Sequence, residues 1–257
     1  MTANYHTHTA RCHHATGTER EYIETAIMRG LKLLGFSDHC PQFFPTDDYY
    51  SHFRMRPEET DGYIKTLTEL RHEYRDDIDI KIGFEVEYYP EIFDKLLDFL
   101  RPYNLDYIIL GQHFINNEYD TYEHSTGKNH TAEQLKIYTS QTLEAMRAGK
   151  FTYVAHPDVF YFDGEEKLYE SEMRRLCEGA KTLGIPLEVN FLGLSEGRHY
   201  PSERFYRIAR EVGCDFVFGC DAHSPDAVMN EDTYKKVCDF AKKLDITPLE
   251  RIDLVKI

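Results

Sequence analysis

Residues 106–113 read Asp106-Tyr107-Ile108-Ile109-Leu110-Gly111-Gln112-His113. The apolar run is unbroken, without the alternation of a half-exposed strand. It suits a strand covered on both faces, as in a parallel sheet. The run ends on a glycine and then on a histidine. The same design recurs along the chain. Leu31 to Phe36 leads into Ser37-Asp38-His39, and the strand pattern over 78–86 contains Gly83-Phe84-Glu85. Phe151 to Ala155 leads into His156-Pro157-Asp158, and Phe216 to Gly219 into Asp221-Ala222-His223. The first short run ends at His6-Thr7-His8. Ligand-type side chains collected from the ends of many strands describe a metal centre at the mouth of a barrel, unlike the local knuckles of a zinc finger.

Strand and helix patterns alternate between these motifs. Helices are expected over about 19–30 with Thr18 as N-cap, over 57–75 opened by Pro57, and over 91–100. Further helices are expected over 131–147 capped by Thr131, and over 166–182, 202–212 and 232–244. Strands are expected at the first short run and over 31–36, 78–86, 106–110, 151–155, 187–190 and 216–219. Seven strands alternating with helices predict a parallel α/β sheet. A single-domain, distorted (β/α)7 TIM-like barrel over residues 1–257 is favoured, because putting six strand ends to use suits a closed sheet better than one switch point. No repeat, low-complexity segment or linker marks a second domain. The loops over 40–56 and 114–131 are long enough to expect function in them.

The chain of 257 residues carries a formal charge of −15. That balance argues against nucleic acid as partner, since phosphate backbones call for basic patches. No 18-residue apolar stretch and no basic-then-apolar leader is present, so no membrane partner is expected and a cytoplasmic location is. The six cysteines, Cys12, Cys40, Cys177, Cys214, Cys220 and Cys238, show no CxxC spacing. They read as reduced thiols, with Cys12, Cys40 and Cys220 as small apolar fillers near the site.

Side chains at i and i+2 on a strand share a face, so His6 and His8 can grip one ion, as can Asp221 and His223. Glu85 is an acidic residue in an apolar strand, and Glu87 competes with it by spacing. Imidazole and carboxylate without thiolate suit Zn, Mn or Fe. A shared carboxylate is the usual way to hold two such ions together.

The ordered set HxH, SDH, strand-end Glu, GQH, AHPD and DAH resembles the PHP (polymerase and histidinol phosphatase) superfamily. The stretch from Tyr5 to Cys40, with Asn190, Tyr200-Pro201 and the closing Asp221-Ala222-His223, is most similar to its histidinol-phosphatase branch. The resemblance spans about residues 4–226. It implies a distorted barrel of seven βα units with three divalent metal ions. By motif, it implies His6, His8, Glu85 and Asp221 around the first ion, Glu85 bridging to a second held by His113 and His156, and His14, His39 and His223 around a third. His14 is preferred to His13 because the family places this ligand six residues after the second His of HxH, followed by a small residue. The chemistry implied is hydrolysis of a phosphomonoester, L-histidinol phosphate, by a metal-bridging hydroxide, with cations neutralising the phosphoryl oxygens.

The remaining candidates read the substrate. Asp38 is a catalytic candidate or a group that holds a neighbouring imidazole, and Asp158 invites the second reading. The family often carries an arginine a few residues after the asparagine matched by Asn190. This chain has Ser195 there, and Arg198 is the replacement expected from a shifted loop. His199 is a candidate contact to the phosphate or leaving group. The loop over 40–56 holds Phe43, Phe44, Tyr49, Tyr50, His52, Phe53, Arg54 and Arg56; its aromatics could enclose an imidazole-bearing substrate, and Arg54 could bind phosphate. His72, His124 and His130 read as solvated. The competing functions are a phosphoesterase for nucleotide or sugar phosphates on the same scaffold, and a metal-binding protein without catalysis.

Overall fold

The computed structural model describes residues 1–46, 49, 51–120 and 123–257. Tyr50 of the aromatic loop lies outside the described residues. Six strands are formed among them: β1 (Ala3–Asn4), β2 (Leu33–His39), β3 (Asp79–Val86), β4 (Tyr107–Leu110), β5 (Leu187–Asn190) and β6 (Phe216–Gly219). The helices are α1 (Glu19–Met28), α2 (Thr60–Glu73), α3 (Pro90–Leu100), α4 (Ala132–Arg147), α5 (Glu166–Leu183), α6 (Phe191–Glu196), α7 (Glu203–Val212) and α8 (Glu231–Lys243). No helix among the described residues is long and apolar enough to cross a membrane.

All strand pairs are parallel, in the order β1-β2-β3-β4 and β5-β6. The two groups are joined by isolated parallel bridges at Val154, to Leu110 on one side and Leu187 on the other. Beyond β6, Ala222 bridges to Thr7, so the sheet curls until its ends meet. The strand expected over 151–155 is reduced to this bridge. The segment does bond both neighbours, through Ala155 N to Leu110 O at 2.8 Å and Val154 N to Pro186 O at 3.0 Å. It turns away at once, because His156 adopts a φ of 27° and Pro157 follows. The first strand is likewise shorter than its motif, ending at Asn4 and leaving His6 and His8 on the turn beyond.

Alternate residues face opposite sides of the curl. Leu34 and Phe36 of β2, Ile82 and Phe84 of β3, and Ile108 and Leu110 of β4 join the large core under the helices. Leu33, Tyr107, Ile109, Tyr153 and Val217 fill a second core with Tyr5 inside the curl. The inner face therefore carries apolar side chains at the strand starts and His and Glu at the strand ends: His39 is paired in register with Glu85. Thr18 and Thr131 form capping boxes and Ser202 caps α7, which fixes where these helices leave the loops that rim the site. The short helix α6, capped by Asn190, stands where a loop was expected.

Candidate metal centre

Glu85 sits at the middle of the inner face, 2% exposed. Its Oε1 lies 2.8 Å from His156 Nε2 and 3.7 Å from His113 Nε2. Its Oε2 lies 3.0 Å from His39 Nδ1, 3.6 Å from His6 Nε2 and 3.7 Å from His8 Nε2. Five imidazoles from four separate segments thus converge on one carboxylate. Asp221 closes the other side, with Oδ1 3.5 Å from His6 Nε2 and 3.0 Å from His8 Nε2. The His223 ring stacks on His8 at 4.0 Å between centroids, and His14 stacks on His223 at 4.7 Å. Ligand-type atoms lie within 4.8 Å of one another in the groups His6, Glu85 and His156; His6, His8 and Asp221; and His8, His39 and His223. Cys12 reaches His14 and His223 within the same span.

Several of these buried atoms have no hydrogen-bond partner: His6 Nε2, both ring nitrogens of His8, Glu85 Oε2 and His156 Nδ1. The 3.0 Å approach of His8 Nε2 to Asp221 is therefore off the line a hydrogen bond needs. Orphaned polar atoms of this kind cost of the order of 1–3 kcal/mol each in a sealed interior. A set of ring nitrogens and carboxylate oxygens that face each other without bonding fits divalent cations. The donor set is N and O, the chemistry of Zn, Mn or Fe sites.

The charges agree. Burial opposes a charge on His6, but Glu188, Asp221 and Glu85 outweigh it and hold its pKa well above the ordinary range. Burial also opposes a charge on His8, yet the neighbouring carboxylates of Asp221 and Asp38 bring it up to about 9. His39 is pushed well below its usual value by burial and by His8, and His223 falls to about 3 for the same two reasons. Glu85 and Asp221 stay ionised: burial works against them, but the imidazoles around them hold both pKa values well below the ordinary range. The carboxylates draw protons onto imidazoles where a cation would otherwise serve.

Two glycines admit the carboxylates. A Cβ on Gly111 would come within 1.9 Å of Glu85 Oε1, and one on Gly219 within 1.7 Å of Glu188 Oε1. The backbone is also turned for the site, since His156 and Asp221 take left-handed φ values of 27° and 49°. Non-glycine residues there are uncommon and cluster at functional positions.

Glu188 was not among the sequence candidates. Its Oε1 accepts from His6 Nδ1 at 2.8 Å, and its Oε2 from His156 N at 2.9 Å and Asn190 Nδ2 at 2.9 Å. The signal available was an acidic residue inside the short strand β5, with Asn190 two positions on and therefore on the same face. Glu87, the spacing rival of Glu85, lies outside the central group. It accepts from His113 Nδ1 at 2.9 Å and pairs with Arg54 Nη2 at 2.5 Å.

Arg54 requires correction. The phosphate role expected for it is not open to its guanidinium, which is 3% exposed. Nε donates to Glu118 at 2.9 Å, Nη1 to Cys40 O at 3.2 Å, and Nη2 to Glu87 and Glu118. It ties the loop over 40–56 to the loop over 114–131 beneath His113. Asp38, read either as catalytic or as holding a neighbouring imidazole, is also enclosed: it accepts from Thr9 Oγ1 and from His39 N at 2.8 Å, and lies 3.5 Å from His8 Nδ1. It holds an imidazole from behind. Asp158 holds no imidazole and accepts from Ser202 N at 2.6 Å. His13 turns to Glu59, 3.4 Å away, while His14 faces the cluster. His124 is not solvated. It lines the cavity, as do Arg198 and His199.

That cavity, about 640 Å³, opens above the cluster between His14, His39, His113 and His223 on one side and Val159, Leu192, Arg198, His199 and Tyr200 on the other. Arg198 gives Nε to Glu196 at 2.7 Å and Nη1 to Tyr200 Oη at 2.6 Å, at the rim. A second hollow of about 430 Å³, between α3 and α4, contains no histidine.

A family model described as the PHP domain matches residues 4–191, more than half of the chain. The chain belongs to the PHP family. Among its relatives, a Bacillus subtilis histidinol-phosphatase is 26% identical over 252 residues, covering 85% of this chain and 92% of that one. A Deinococcus radiodurans protein named as a probable histidinol-phosphatase is 29% identical over 235 residues, covering 87% and 86%. The fold is similar to a histidinol phosphate phosphatase from Lactococcus lactis, solved with Zn, L-histidinol and phosphate, at a TM-score of 0.74 and 20% identity over 98% of this PHP chain and 97% of that one.

Proposed function

We propose that this PHP chain is a metal-dependent phosphomonoesterase that hydrolyses L-histidinol phosphate to L-histidinol and inorganic phosphate. The observation that carries the reading is the set of orphaned imidazole nitrogens around Glu85 at the floor of an open cavity. The histidinol-phosphatase names of its relatives support the substrate.

In this reading His6, His8, Glu85 and Asp221 hold one divalent ion, Glu85 with His113 and His156 a second, and His14, His39 and His223 a third. Such ions supply a water-derived nucleophile at neutral pH and neutralise phosphoryl oxygens. The chain supplies the rest. Glu188 fixes the His6 ring with its Nε2 toward Glu85, Glu87 does the same for His113, and Asp38 stands behind His8. Arg198 offers its charge to the phosphate at the rim, and His199 faces the substrate beside it. The fold is read as a single-domain, distorted barrel of seven βα units, with the segment around Val154 as the strand between β4 and β5. The partner is a small phosphorylated substrate in the cytoplasm, and a charge of −15 disfavours nucleic acid.

The test is phosphate release from L-histidinol phosphate by protein loaded in turn with Mn, Zn and Fe, beside a chelated control and a His8→Ala variant. Release that needs both metal and His8 is expected. Metal-loaded protein that cleaves other monoesters but not this one would sink the substrate. Nucleotide and sugar phosphates in the same panel test the rival reading, in which another monoester is the substrate.

A further inference from the structure

The lining of the cavity carries two histidines outside the ligand set, His124 on the side of His113, 6.0 Å away between ring centroids, and His199 on the side of Val159. His124 is held on a return of the chain: it bridges antiparallel to Phe114, and Ser125 N donates to His113 O at 2.7 Å. Thr126 N donates to His124 Nδ1 at 3.2 Å. A backbone N–H can only donate, so Nδ1 accepts and the proton of the neutral ring lies on Nε2. His199 has the opposite arrangement. Its Nε2 lies 2.8 Å from Val159 O, a group that can only accept, so Nε2 donates and Nδ1 keeps the lone pair. Burial holds the pKa of His199 below its usual value. Among the described residues neither His124 Nε2 nor His199 Nδ1 has a hydrogen-bond partner, and both rings line the cavity.

The cavity lining therefore offers one fixed donor and one fixed acceptor, with Val159, Leu192 and Tyr200 in the same lining. A phosphoryl oxygen only accepts, so it does not match the lone pair of His199. A neutral imidazole, with one N–H and one lone pair, matches both. We propose that His124 and His199 bind the leaving group, His124 donating from Nε2 and His199 accepting at Nδ1, and so select a phosphomonoester whose alcohol carries an imidazole. The inference rests on the phosphomonoesterase reading above and adds to it the residues that choose the ester.

The test compares kcat/KM for L-histidinol phosphate and p-nitrophenyl phosphate in metal-loaded wild type, His124→Phe, His124→Gln and His199→Phe. Loss of one neutral hydrogen bond to a buried group predicts that the preference for L-histidinol phosphate falls about tenfold in each Phe variant, mainly through KM. His124→Gln places an amide donor near the position of Nε2 and should keep most of the preference. A ratio unchanged in the Phe variants, an equal loss on both esters, or a Gln variant as poor as Phe would overturn the inference. Wild type that cleaves p-nitrophenyl phosphate but not L-histidinol phosphate would instead overturn the substrate reading, and this one with it.

Discussion

His6 Nδ1 lies 2.8 Å from Glu188 Oε1, although 182 residues separate them. The contact fixes which nitrogen of His6 faces the cluster: Nδ1 donates outward, so Nε2 presents its lone pair toward Glu85 and Asp221. Glu188 also accepts from the backbone of His156 and from Asn190, whose amide reaches Asp221 Oδ2 at 3.1 Å. One buried carboxylate thereby sets two histidines and one aspartate.

Glu188→Gln keeps the shape but removes the charge that holds His6. Metal affinity should fall about 10–100-fold, as for other groups that orient a ligand imidazole. Competition with a chelator of known affinity measures it. An affinity equal to wild type would refute the orienting role.

Gly111→Ala places a methyl against Glu85, where the gap to Oε1 is 1.9 Å. Glu85 must swing away, while the backbone of Gly111 has no left-handed φ to lose. We expect metal content after loading, measured by elemental analysis, to drop well below that of wild type with the circular dichroism spectrum preserved. Full loading would show that the carboxylate has room the structure does not show.

Arg54→Met leaves Glu87 and Glu118 buried without their cation. Breaking a buried ion pair from one side costs roughly 3–5 kcal/mol, so the variant should unfold at markedly lower urea concentration. A direct phosphate contact would instead raise KM with stability preserved, and that pattern would restore the role the sequence suggested.

Chelation should abolish phosphate release and lower the unfolding temperature, because the orphaned imidazole and carboxylate atoms then lack their counter-ions. Re-addition of metal should restore both. An unfolding temperature that ignores chelator and metal alike would argue against ions at this cluster.

Asp158 gives a pH signature of its own. Burial raises its pKa from 3.8 to about 7, against the hydrogen bonds from Ser202. The folded value lies above the unfolded one, so ionisation favours the unfolded chain. Its contribution to stability is intact below about pH 4, declines as pH rises toward 7, and stays lower above. The loss at pH 8 is on the order of 4 kcal/mol. Asp158→Asn should flatten that decline relative to wild type, read from urea midpoints between pH 5 and 8. Parallel curves for the two proteins would refute it.

By itself the sequence determined the chemistry and the layout. Apolar runs ending in His, Asp or Glu specified parallel strands with polar ends, because side-chain alternation and burial are local properties. Strands β5 and β6 and the caps Thr18 and Thr131 stand where their patterns placed them. The motif residues His6, His8, Glu85, His113, His156, Asp221 and His223 do converge, and so do His14 and His39. Only the tertiary structure decided the partners. The strand expected over 151–155 shrank to a bridge because its neighbour His156 turns left-handed toward Glu85. Glu188 joined His6 and Arg54 was consumed by Glu87 and Glu118, through contacts across 33 to 182 residues, and His124 came to line the cavity. Residue type and spacing report which groups a segment carries. Which lone pair meets which proton depends on how the curled sheet closes, and that is a property of the whole chain.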